Sequence, residues 1–357
     1  MIGDYTHVIG LMSGTSLDGV DLVYVRFKNE NYTNFKILAS ETIPYTLEWK
    51  KELQEAIFYS KEKLAYINVA YGVLLADILN TFIENNKIFK VDFIASHGHT
   101  ILHQPEKGYT LQIGDGQTIA NKTKQKVVCD FRTQDVQLGG QGAPLVPIGD
   151  KLLFSSYDYC VNLGGFANVS YEKENYRLAF DICPVNIVLN FYTRKLNLDY
   201  DDGGQLARSG KLNNKLLEGL NKIPFYSKSP PKSLGLEWVQ ESIFPLIDTL
   251  EKDIPVILNT FVEHAAIQIA TIIEMPSKVL FTGGGVFNSY LMERIEFHTK
   301  QRVVFVEKEL IDYKEALIFA FLGVLRVKNK VNCLASVTGA VKDHSSGEIF
   351  TPNLKEC

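Results

Sequence analysis

The sequence predicts a duplicated α/β fold, and two observations lead to this prediction. The chain has 357 residues, which exceeds one ordinary hydrophobic core and suits two packed domains. Each half opens with three strand-like segments and a glycine-containing hairpin turn, and then alternates helix-like with strand-like segments. Two halves built on one plan indicate an internal duplication.

The first half begins with two apolar segments on either side of a polar turn. His7–Leu11 and Asp21–Phe27 are predicted strands, and the glycines between them favour a hairpin. Phe35–Ile43 is the third predicted strand, and Leu64–Ile83 carries apolar residues at helical spacing. The remaining elements predicted here are strands at Val91–Ala95, Leu111–Ile113 and Lys126–Cys129 and a short helix from Gln117.

The second half follows the same order. Tyr159–Leu163 and Asn168–Tyr171 flank a glycine-rich turn, Arg177–Ile182 is a third strand, and a helix runs from Pro184 or Asn186 to about Leu196. The later predicted elements are helices over Leu236–Leu250 and Val256–Glu274, a strand at Lys278–Phe281, a helix from Asn288, a strand at Arg302–Val306 and a helix from Lys314 to about Val327.

Composition excludes several classes of function. Lys and Arg number 37 against 41 Asp and Glu, a net charge of −4, so the chain is a poor candidate for binding nucleic acid or anionic membranes. No apolar run approaches the roughly 20 residues of a membrane helix, and no signal peptide is recognisable. The five cysteines lack any Cys-x-x-Cys pattern, which indicates reduced thiols and a cytoplasmic location.

The turn between the first two predicted strands is a candidate phosphate-binding element. Glycines allow backbone N–H groups to converge on an anion, and hydroxyl groups add donors. The residues concerned are Ser13, Gly14, Thr15 and Ser16, and Asp18 could hold Mg²⁺ beside a phosphate. The pattern is not that of a P-loop. An ordinary hairpin turn is the alternative, because Gly, Ser and Asp are common turn residues.

Two further glycine-rich turns are candidates for contact with a nucleotide. They comprise Gly164, Gly165 and Asn168 in one turn and Gly283, Gly284, Gly285 and Asn288 in the other. The first occupies the place of the Ser13 turn in the second half, and the second follows an apolar strand and opens a helix, whose N-terminus favours anions. A dinucleotide fingerprint is weak here, since Asn288 replaces its third glycine. A tight turn capped by Asn288 is the plain alternative.

Asp181 and a group of histidines are the other candidates for chemistry. Asp181 ends a predicted strand before a helix, where it could be a general base or simply the helix cap. His97, His99 and His103 have the spacing His-x-His-x-x-x-His, and the first two would share one strand face. A metal site is conceivable, but a polar pocket wall is favoured, since no Cys or carboxylate cluster is nearby.

The chain resembles the anhydro-N-acetylmuramic acid kinases in a series of short motifs. Gly10–Asp21, GLMSGTSLDGVD, is similar to the N-terminal signature of that family, and Leu138–Pro147, LGGQGAPLVP, is the second highly specific match. Other matches in the same order are Ser96–Thr100, Leu111–Asp115, Asp130–Arg132, Asn162–Asn168, Ala207–Lys211, Pro231–Ser233, Gly283–Asn288 and Lys314–Leu317. The resemblance covers nearly the whole chain.

This resemblance implies the actin/hexokinase-like (ribonuclease H-like) ATPase fold, with two domains around a central cleft. On this fold, the predicted domains are residues 1–131 with a C-terminal segment of about 330–357, and residues 132–329. The resemblance also implies ATP and Mg²⁺ as cofactors, a peptidoglycan-recycling sugar as substrate, and homodimers.

The implied reaction opens 1,6-anhydro-N-acetylmuramic acid with water while O6 takes the γ-phosphoryl group, giving N-acetylmuramic acid 6-phosphate. By resemblance, Asp181 would deprotonate the water, Arg132 would hold the lactyl carboxylate or nearby sugar oxygens, and Glu315 would contact the sugar. The further residues expected at the sugar are His97, Gly98 and Asn186. Gly14–Asp18 would cradle the β- and γ-phosphates, and Gly283–Gly285 would face the adenosine.

The stretch around the expected base departs from the usual family sequence. Relatives usually read Asp-Thr-Gly-Pro-Gly-Asn where Asp181–Asn186 reads DICPVN, so a hydroxyl and two glycines are replaced. Two alternatives therefore stay open: a kinase for another amino or anhydro sugar, and a sugar- or nucleotide-binding regulator impaired in catalysis. The retained Asp181 favours an enzyme.

Overall fold

The computed structural model describes residues 4–14 and 17–353 of the chain. The strands are β1 Tyr5–Met12, β2 Gly19–Lys28, β3 Phe35–Pro44, β4 Phe93–Ser96, β5 His99–Gln104, β6 Tyr109–Ile113, β7 Val127–Cys129, β8 Tyr159–Leu163, β9 Phe166–Lys173, β10 Tyr176–Pro184, β11 Val279–Thr282 and β12 Glu348–Phe350. The α-helices are α1 Leu47–Glu55, α2 Lys61–Asn85, α3 Gly116–Thr123, α4 Thr133–Gln137, α5 Val146–Leu153, α6 Asn186–Arg194, α7 Gln205–Ser209, α8 Asn214–Asn221, α9 Leu236–Trp238, α10 Phe244–Leu250, α11 Ile254–Ile272, α12 Ser289–Thr299, α13 Lys308–Val327 and α14 Ala335–Thr338. A π-helical turn, Val239–Ile243, joins α9 to α10, and 3₁₀ turns lie at Ala56–Phe58, Pro105–Lys107, Asp202–Gly204, Pro224–Ser227 and Gly284–Phe287.

The first compact unit contains the residues up to Phe154 and those from Tyr313 onward. Its main sheet has the order β12-β7-β4-β1-β2-β3, and β5 and β6 form a separate hairpin. β1, β2 and β3 are antiparallel to one another, whereas β4 and β7 continue the sheet in parallel with β1. The predicted opening hairpin is therefore confirmed, with Leu11 opposite Leu22.

The second unit, Ser155–Asp312, repeats this plan with one sheet in the order β10-β9-β8-β11. β8, β9 and β10 are antiparallel, and β11 joins β8 in parallel. Both sheets thus place their first three strands in the order 3-2-1 and add the next strand in parallel beside the first. The shared topology confirms the duplicated, actin/hexokinase-like fold.

The unit boundaries differ from the domain boundaries predicted from the sequence. The structure divides the chain after residues 154 and 312 rather than after 131 and about 329. Helix α13 explains the difference, because it packs directly on the first sheet: a Cβ added at Gly10 would lie 2.3 Å from the Ala316 carbonyl oxygen. Helix α5 packs on the same helix, since a Cβ at Gly149 would lie 2.7 Å from Ile318 Cγ2.

Helices α2 and α11 are long and apolar enough to cross a membrane by length and composition, which the sequence analysis did not anticipate. Their apolar faces are used inside the protein. Tyr71 and Leu79 of α2 are fully buried in the first core, and Phe261 and Ala265 of α11 in the second. Burial against neighbouring elements accounts for most of the apolar surface of α11 and for one face of α2.

The strand predicted at Arg302–Val306 is wrong, because this segment has no strand conformation in the structure. A cavity of about 310 Å³ is lined by Val279 and Phe281 of β11 on one side and by Val303 and Val304 on the other. The backbone N–H of Val303 instead donates to Glu296 Oε1 at 2.7 Å. An apolar run rich in β-branched residues is therefore not enough to predict a strand here.

Candidate functional site

Arg132 lies in the first unit at the start of α4, where two acceptors fix its orientation. Its Nε donates to His97 Nε2 at 3.0 Å, and its Nη1 donates to the Gly142 carbonyl at 2.6 Å. His97 Nδ1 lies 2.9 Å from the Gly98 carbonyl, so this nitrogen carries the proton and Nε2 is the acceptor. Burial, assisted by the Arg132 charge, holds the pKa of His97 well below its usual value. The guanidinium is thus held rigidly by a neutral histidine.

Glu315 lies in α13 and is electrostatically coupled to Arg132. Desolvation by the surrounding protein raises the pKa of the Glu315 carboxyl group, and the positive charges of Arg132 and then Lys314 oppose that shift. The side chain nevertheless remains exposed to solvent. Lys314 is itself buried and forms an ion pair with Asp150 at 2.7 Å. The structure therefore places the predicted residues His97, Gly98, Arg132 and Glu315 in one unit, and directly connects the first three.

The turn between β1 and β2 begins at a buried hydroxyl. Ser13 Oγ lies 2.8 Å from His99 Nδ1 and 2.5 Å from Tyr45 Oη, and Tyr45 Oη lies 2.5 Å from Tyr71 Oη. Burial lowers the pKa of His99 to about 4, so its imidazole is neutral near pH 7. Sequence reasoning missed Tyr45 and Tyr71, which carry no motif of their own.

The rest of this turn is only partly described. The Gly14 carbonyl accepts from the Leu17 N–H at 3.4 Å, and Asp18 is exposed. Thr15 and Ser16 lie outside the described residues, so their expected phosphate contacts stay predictions. The exposed Asp18 carboxylate is a hard oxygen donor that suits Mg²⁺.

The predicted arrangement of the histidines is wrong. β4 ends at Ser96 and β5 begins at His99, with Gly98 between them at φ +72°, so His97 and His99 do not share a strand face. Their ring nitrogens have separate partners, Arg132 for His97 and Ser13 for His99, while His103 Nδ1 lies 3.1 Å from Thr110 Oγ1. The three imidazoles therefore form no common ligand set.

A row of polar residues crosses the sheet of the second unit. Asn168 on β9 is paired with Asn162 on β8 and with Asp181 on β10, and Asn162 is paired with Thr282 on β11. Directly paired residues of neighbouring strands point to the same face. Sequence reasoning missed Asn162 and Thr282 as site residues. The signal for Asn162 was present, since Asn162 and Asn168 flank the Gly164–Gly165 turn symmetrically.

Asp181 is half-buried in this row and does not cap the following helix. Its Oδ2 accepts from the backbone N–H of Leu234 at 2.8 Å, and no side chain caps α6 at Val185. Burial raises the pKa of Asp181, and the N–H of Leu234 opposes the shift. A carboxylate with a raised pKa and solvent access can accept a proton from water.

The departure from the usual family sequence lies behind Asp181 and faces the core. A register shift between Asp181 and Cys183 marks a bulge, so Ile182 and Cys183 are both buried, at 2% and 0% exposure. Val185 is also fully buried, and its φ of −134° is not the positive φ for which glycine is favoured.

The two glycine turns of this unit differ in what they offer a ligand. The carbonyls of Gly164 and Gly165 accept from the N–H groups of Asn186 and Val185, so the start of α6 is bonded to the turn rather than open. Gly165 and Asn168 remain exposed.

Close packing explains two of the three later glycines. A Cβ at Gly283, where φ is +84°, would lie 2.6 Å from Asn162 Oδ1, and one at Gly285 would lie 2.7 Å from Leu163 Cβ. Gly284 is exposed, with open space where a Cβ would be, so its bare backbone is accessible to a ligand. Asn288 is buried and its Oδ1 accepts from the Leu291 N–H at 3.0 Å, as the capping alternative expected.

Comparison with known proteins identifies the family of the chain. The family model of anhydro-N-acetylmuramic acid kinase matches residues 6–352. An anhydro-N-acetylmuramic acid kinase from Zymomonas mobilis is 35% identical over 96% of this chain and 98% of its own, and one from Coxiella burnetii is 36% identical over 96% of both. The solved structure of component A of (R)-2-hydroxyglutaryl-CoA dehydratase from Acidaminococcus fermentans is similar at 13% identity, with a TM-score of 0.45 over 89% of this chain and 96% of that one. The chain belongs to the anhydro-N-acetylmuramic acid kinase family.

Proposed function

We propose that this protein phosphorylates O6 of 1,6-anhydro-N-acetylmuramic acid while water opens the anhydro bridge. Asp181 is the observation on which the proposal depends. It is a half-buried carboxylate with a raised pKa, it accepts one backbone hydrogen bond, from Leu234, and it does not cap helix α6. In the balanced reaction, the water oxygen bonds to C1 and the bond from C1 to the bridging oxygen breaks. That oxygen, as O6, bonds to the γ-phosphorus while the bond from the γ-phosphorus to the β,γ-bridging oxygen breaks and ADP leaves. One water proton stays on the new anomeric hydroxyl. The second water proton goes to Asp181.

The residues present are suited to ATP and Mg²⁺. Gly284 offers exposed backbone with open space around it, and Asp18 offers an exposed carboxylate. When bound, the nucleotide supplies the γ-phosphoryl group and Mg²⁺ neutralises the charge that develops on its oxygens. Gly14 and Asp18 would hold the phosphate and metal side, and Gly284 would contact the adenosine side.

The chain's own residues account for positioning in this reaction. Arg132, fixed by His97 and Gly142, presents a planar guanidinium suited to the lactyl carboxylate. Glu315 would contact the sugar hydroxyls. Asp181 would orient the water by hydrogen bonding before accepting its proton. Such phosphoryl transfers depend mainly on positioning and on charge stabilisation.

The alternatives of another sugar or a catalytically impaired regulator rested on the altered sequence after Asp181. In the structure Ile182, Cys183 and Val185 are buried, so these three side chains place no exposed group beside Asp181. No other observation favours either alternative.

Product analysis tests the proposal. Purified protein is incubated with Mg·ATP and 1,6-anhydro-N-acetylmuramic acid in ¹⁸O-water, and the products are examined by mass spectrometry. We expect a sugar 6-phosphate labelled at its anomeric hydroxyl, measured before anomeric exchange. Label-free product would contradict the coupled ring opening. Absence of a phosphorylated sugar would contradict the assigned substrate, and a screen of other amino and anhydro sugars would then identify the acceptor.

A further inference from the structure

Three side chains that commonly bind metals meet in the interior of the first unit. They are Asp135 of α4 and two residues near the C-terminus, Cys333 and His344, with exposures of 0%, 1% and 6%. One ligand atom from each lies within 4.8 Å of the others. The backbones of Cys333 and His344 form an antiparallel bridge, with N–H to carbonyl distances of 3.1 and 3.2 Å. The main chain therefore holds these two side chains together.

The distances between the ligand atoms suit a small divalent ion. Zinc lies about 2.0 Å from oxygen and nitrogen ligands and about 2.3 Å from sulfur, so tetrahedral ligand atoms are roughly 3.3–3.6 Å apart. His344 Nε2 is 3.5 Å from Asp135 Oδ1, within that range. Cys333 Sγ is 3.0 Å from the same oxygen, so this pair must separate by only about half an ångström to admit the ion.

The hydrogen bonding of His344 leaves its Nε2 atom able to bind a cation. Its Nδ1 lies 3.2 Å from the Lys342 carbonyl, which can only accept, so Nδ1 carries the proton. Its Nε2 is buried without a hydrogen-bond partner among the described residues, and it faces a carboxylate oxygen, which is also an acceptor. Two buried acceptor atoms facing each other are unfavourable unless a positive charge lies between them, either a metal ion or the proton of an ion pair with Asp135. Metal-binding histidines typically donate their other ring N–H to a carbonyl in this way.

We propose that this cluster binds one zinc ion through Asp135 Oδ1, Cys333 Sγ and His344 Nε2. The ligand set mixes the oxygen, sulfur and nitrogen donors that zinc accepts. Burial and the Asp135 carboxylate raise the pKa of the Cys333 thiol, so it is protonated without metal and releases its proton to solvent when its sulfur binds the ion. Thr338 Oγ1, which donates to Asp135 Oδ1 at 2.7 Å, stays beside the site.

The ion would stabilise a connection to Arg132. The other carboxylate oxygen, Asp135 Oδ2, accepts from the Gly142 N–H at 2.7 Å, and the Gly142 carbonyl accepts from Arg132 at 2.6 Å. Zinc bound at Asp135 would therefore fasten the C-terminal residues Cys333 and His344 to the loop that orients Arg132. Its role would be structural, because Asp135 reaches Arg132 through the backbone of Gly142.

Metal analysis of the full chain tests this proposal. The protein is purified without a histidine tag from zinc-supplemented cells and dialysed against metal-free buffer. Its zinc content is then measured by inductively coupled plasma mass spectrometry. We expect about one zinc per chain in the wild type and less than about one fifth of that in Cys333→Ser and His344→Gln. Cys129→Ser is the matched control, since Cys129 is also buried in this unit but lies outside the cluster, and it should keep its zinc.

Cobalt substitution keeps the test decisive if the variants fail to fold. Wild-type protein is unfolded in denaturant that contains a chelator and is then refolded with Co²⁺. It should show a thiolate-to-cobalt absorption band and a higher Tm than protein refolded without metal. Wild-type protein with less than about one tenth of a zinc per chain and no cobalt band would overturn the proposal. His344 would then be paired with Asp135 as an imidazolium. Neither readout depends on the kinase reaction.

Discussion

The polar residues of the two units are organised in opposite ways. In the first unit, Arg132 is bonded to His97 and Gly142, and Ser13 to His99, so the site side chains are partnered with one another. In the second unit, Asp181 has one backbone donor, and Gly284 faces open space. The first arrangement suits side chains that need a fixed orientation, and the second suits groups that need access to water or to a nucleotide. The comparison teaches that the two repeats of one fold differ in how firmly their polar side chains are held, and under the proposed function this would divide positioning and proton transfer between them.

Asp181→Asn should produce the largest effect. The asparagine oxygen can still accept from the Leu234 N–H, but it cannot take a proton, so we expect kcat to fall about 10²- to 10⁴-fold with nucleotide affinity and Tm nearly unchanged. Steady-state kinetics and nucleotide titration measure this. Asp158→Asn is the control, because Asp158 Oδ2 also accepts a backbone N–H, from Lys278 at 2.7 Å, and it should leave turnover intact. Full activity in Asp181→Asn would refute its assignment as the base.

Arg132→Lys should break the rigid arrangement of the first unit. A lysine ammonium cannot bond His97 and Gly142 as the guanidinium does and still present a planar face to a carboxylate. Loss of a charged hydrogen bond worth about 1.5–3 kcal/mol predicts a sugar KM raised about 10- to 100-fold, with a smaller change in kcat. Arg26→Lys on β2, whose guanidinium lies over the Tyr5 ring, is the control. An unchanged KM would mean that Arg132 does not hold the sugar.

The buried neutral histidines of the first unit predict the smallest effect, a loss of stability in acid. His99 has a pKa of about 4 in the fold against 6.5 unfolded, so the unfolded chain binds more protons as pH falls below 6.5. The stability that neutral His99 contributes is present above that value and is lost as pH falls.

Between pH 7 and pH 5 the wild type should lose about 2 kcal/mol more free energy of unfolding than His99→Gln, as measured by urea titration. His103→Gln, at an exposed position, should follow the wild type much more closely. Identical pH dependence in the wild type and His99→Gln would show that His99 is not held neutral.

The opening hairpins of both units could be predicted from local signals, whereas the side-chain clusters could not. Glycine turns and apolar runs located the hairpins of β1–β2 and β8–β9, because turn residues fix register at short range. Asp135 and Cys333 contact each other across 198 positions of sequence, and no periodicity encodes such a contact. Gly98 broke the predicted histidine face because its positive φ, beside the Ile113 carbonyl, ends one strand before the next begins.

The register of individual polar residues could be predicted in part from the sequence. The Gly164–Gly165 turn implies that Asn162 lies opposite Asn168, but the pairing of Asn168 with Asp181 depends on where β9 and β10 turn, which the sequence left open. The donor from Leu234 to Asp181 lies 53 positions away and was unforeseeable for the same reason.

The bulge behind Asp181 has a consequence for anyone building chimeras within this family. Ile182 and Cys183 fill the interior, where the Cys183 sulfur packs 3.9 Å from the Ala265 carbonyl of α11. Transplanting Thr-Gly-Pro-Gly from a relative into positions 182–185 would therefore hollow out the core, at a cost on the order of 1 kcal/mol for each methyl-sized group removed. A successful transplant would need larger side chains on the facing surface of α11. In this chain, part of the signature sequence therefore contributes to the packing of the core.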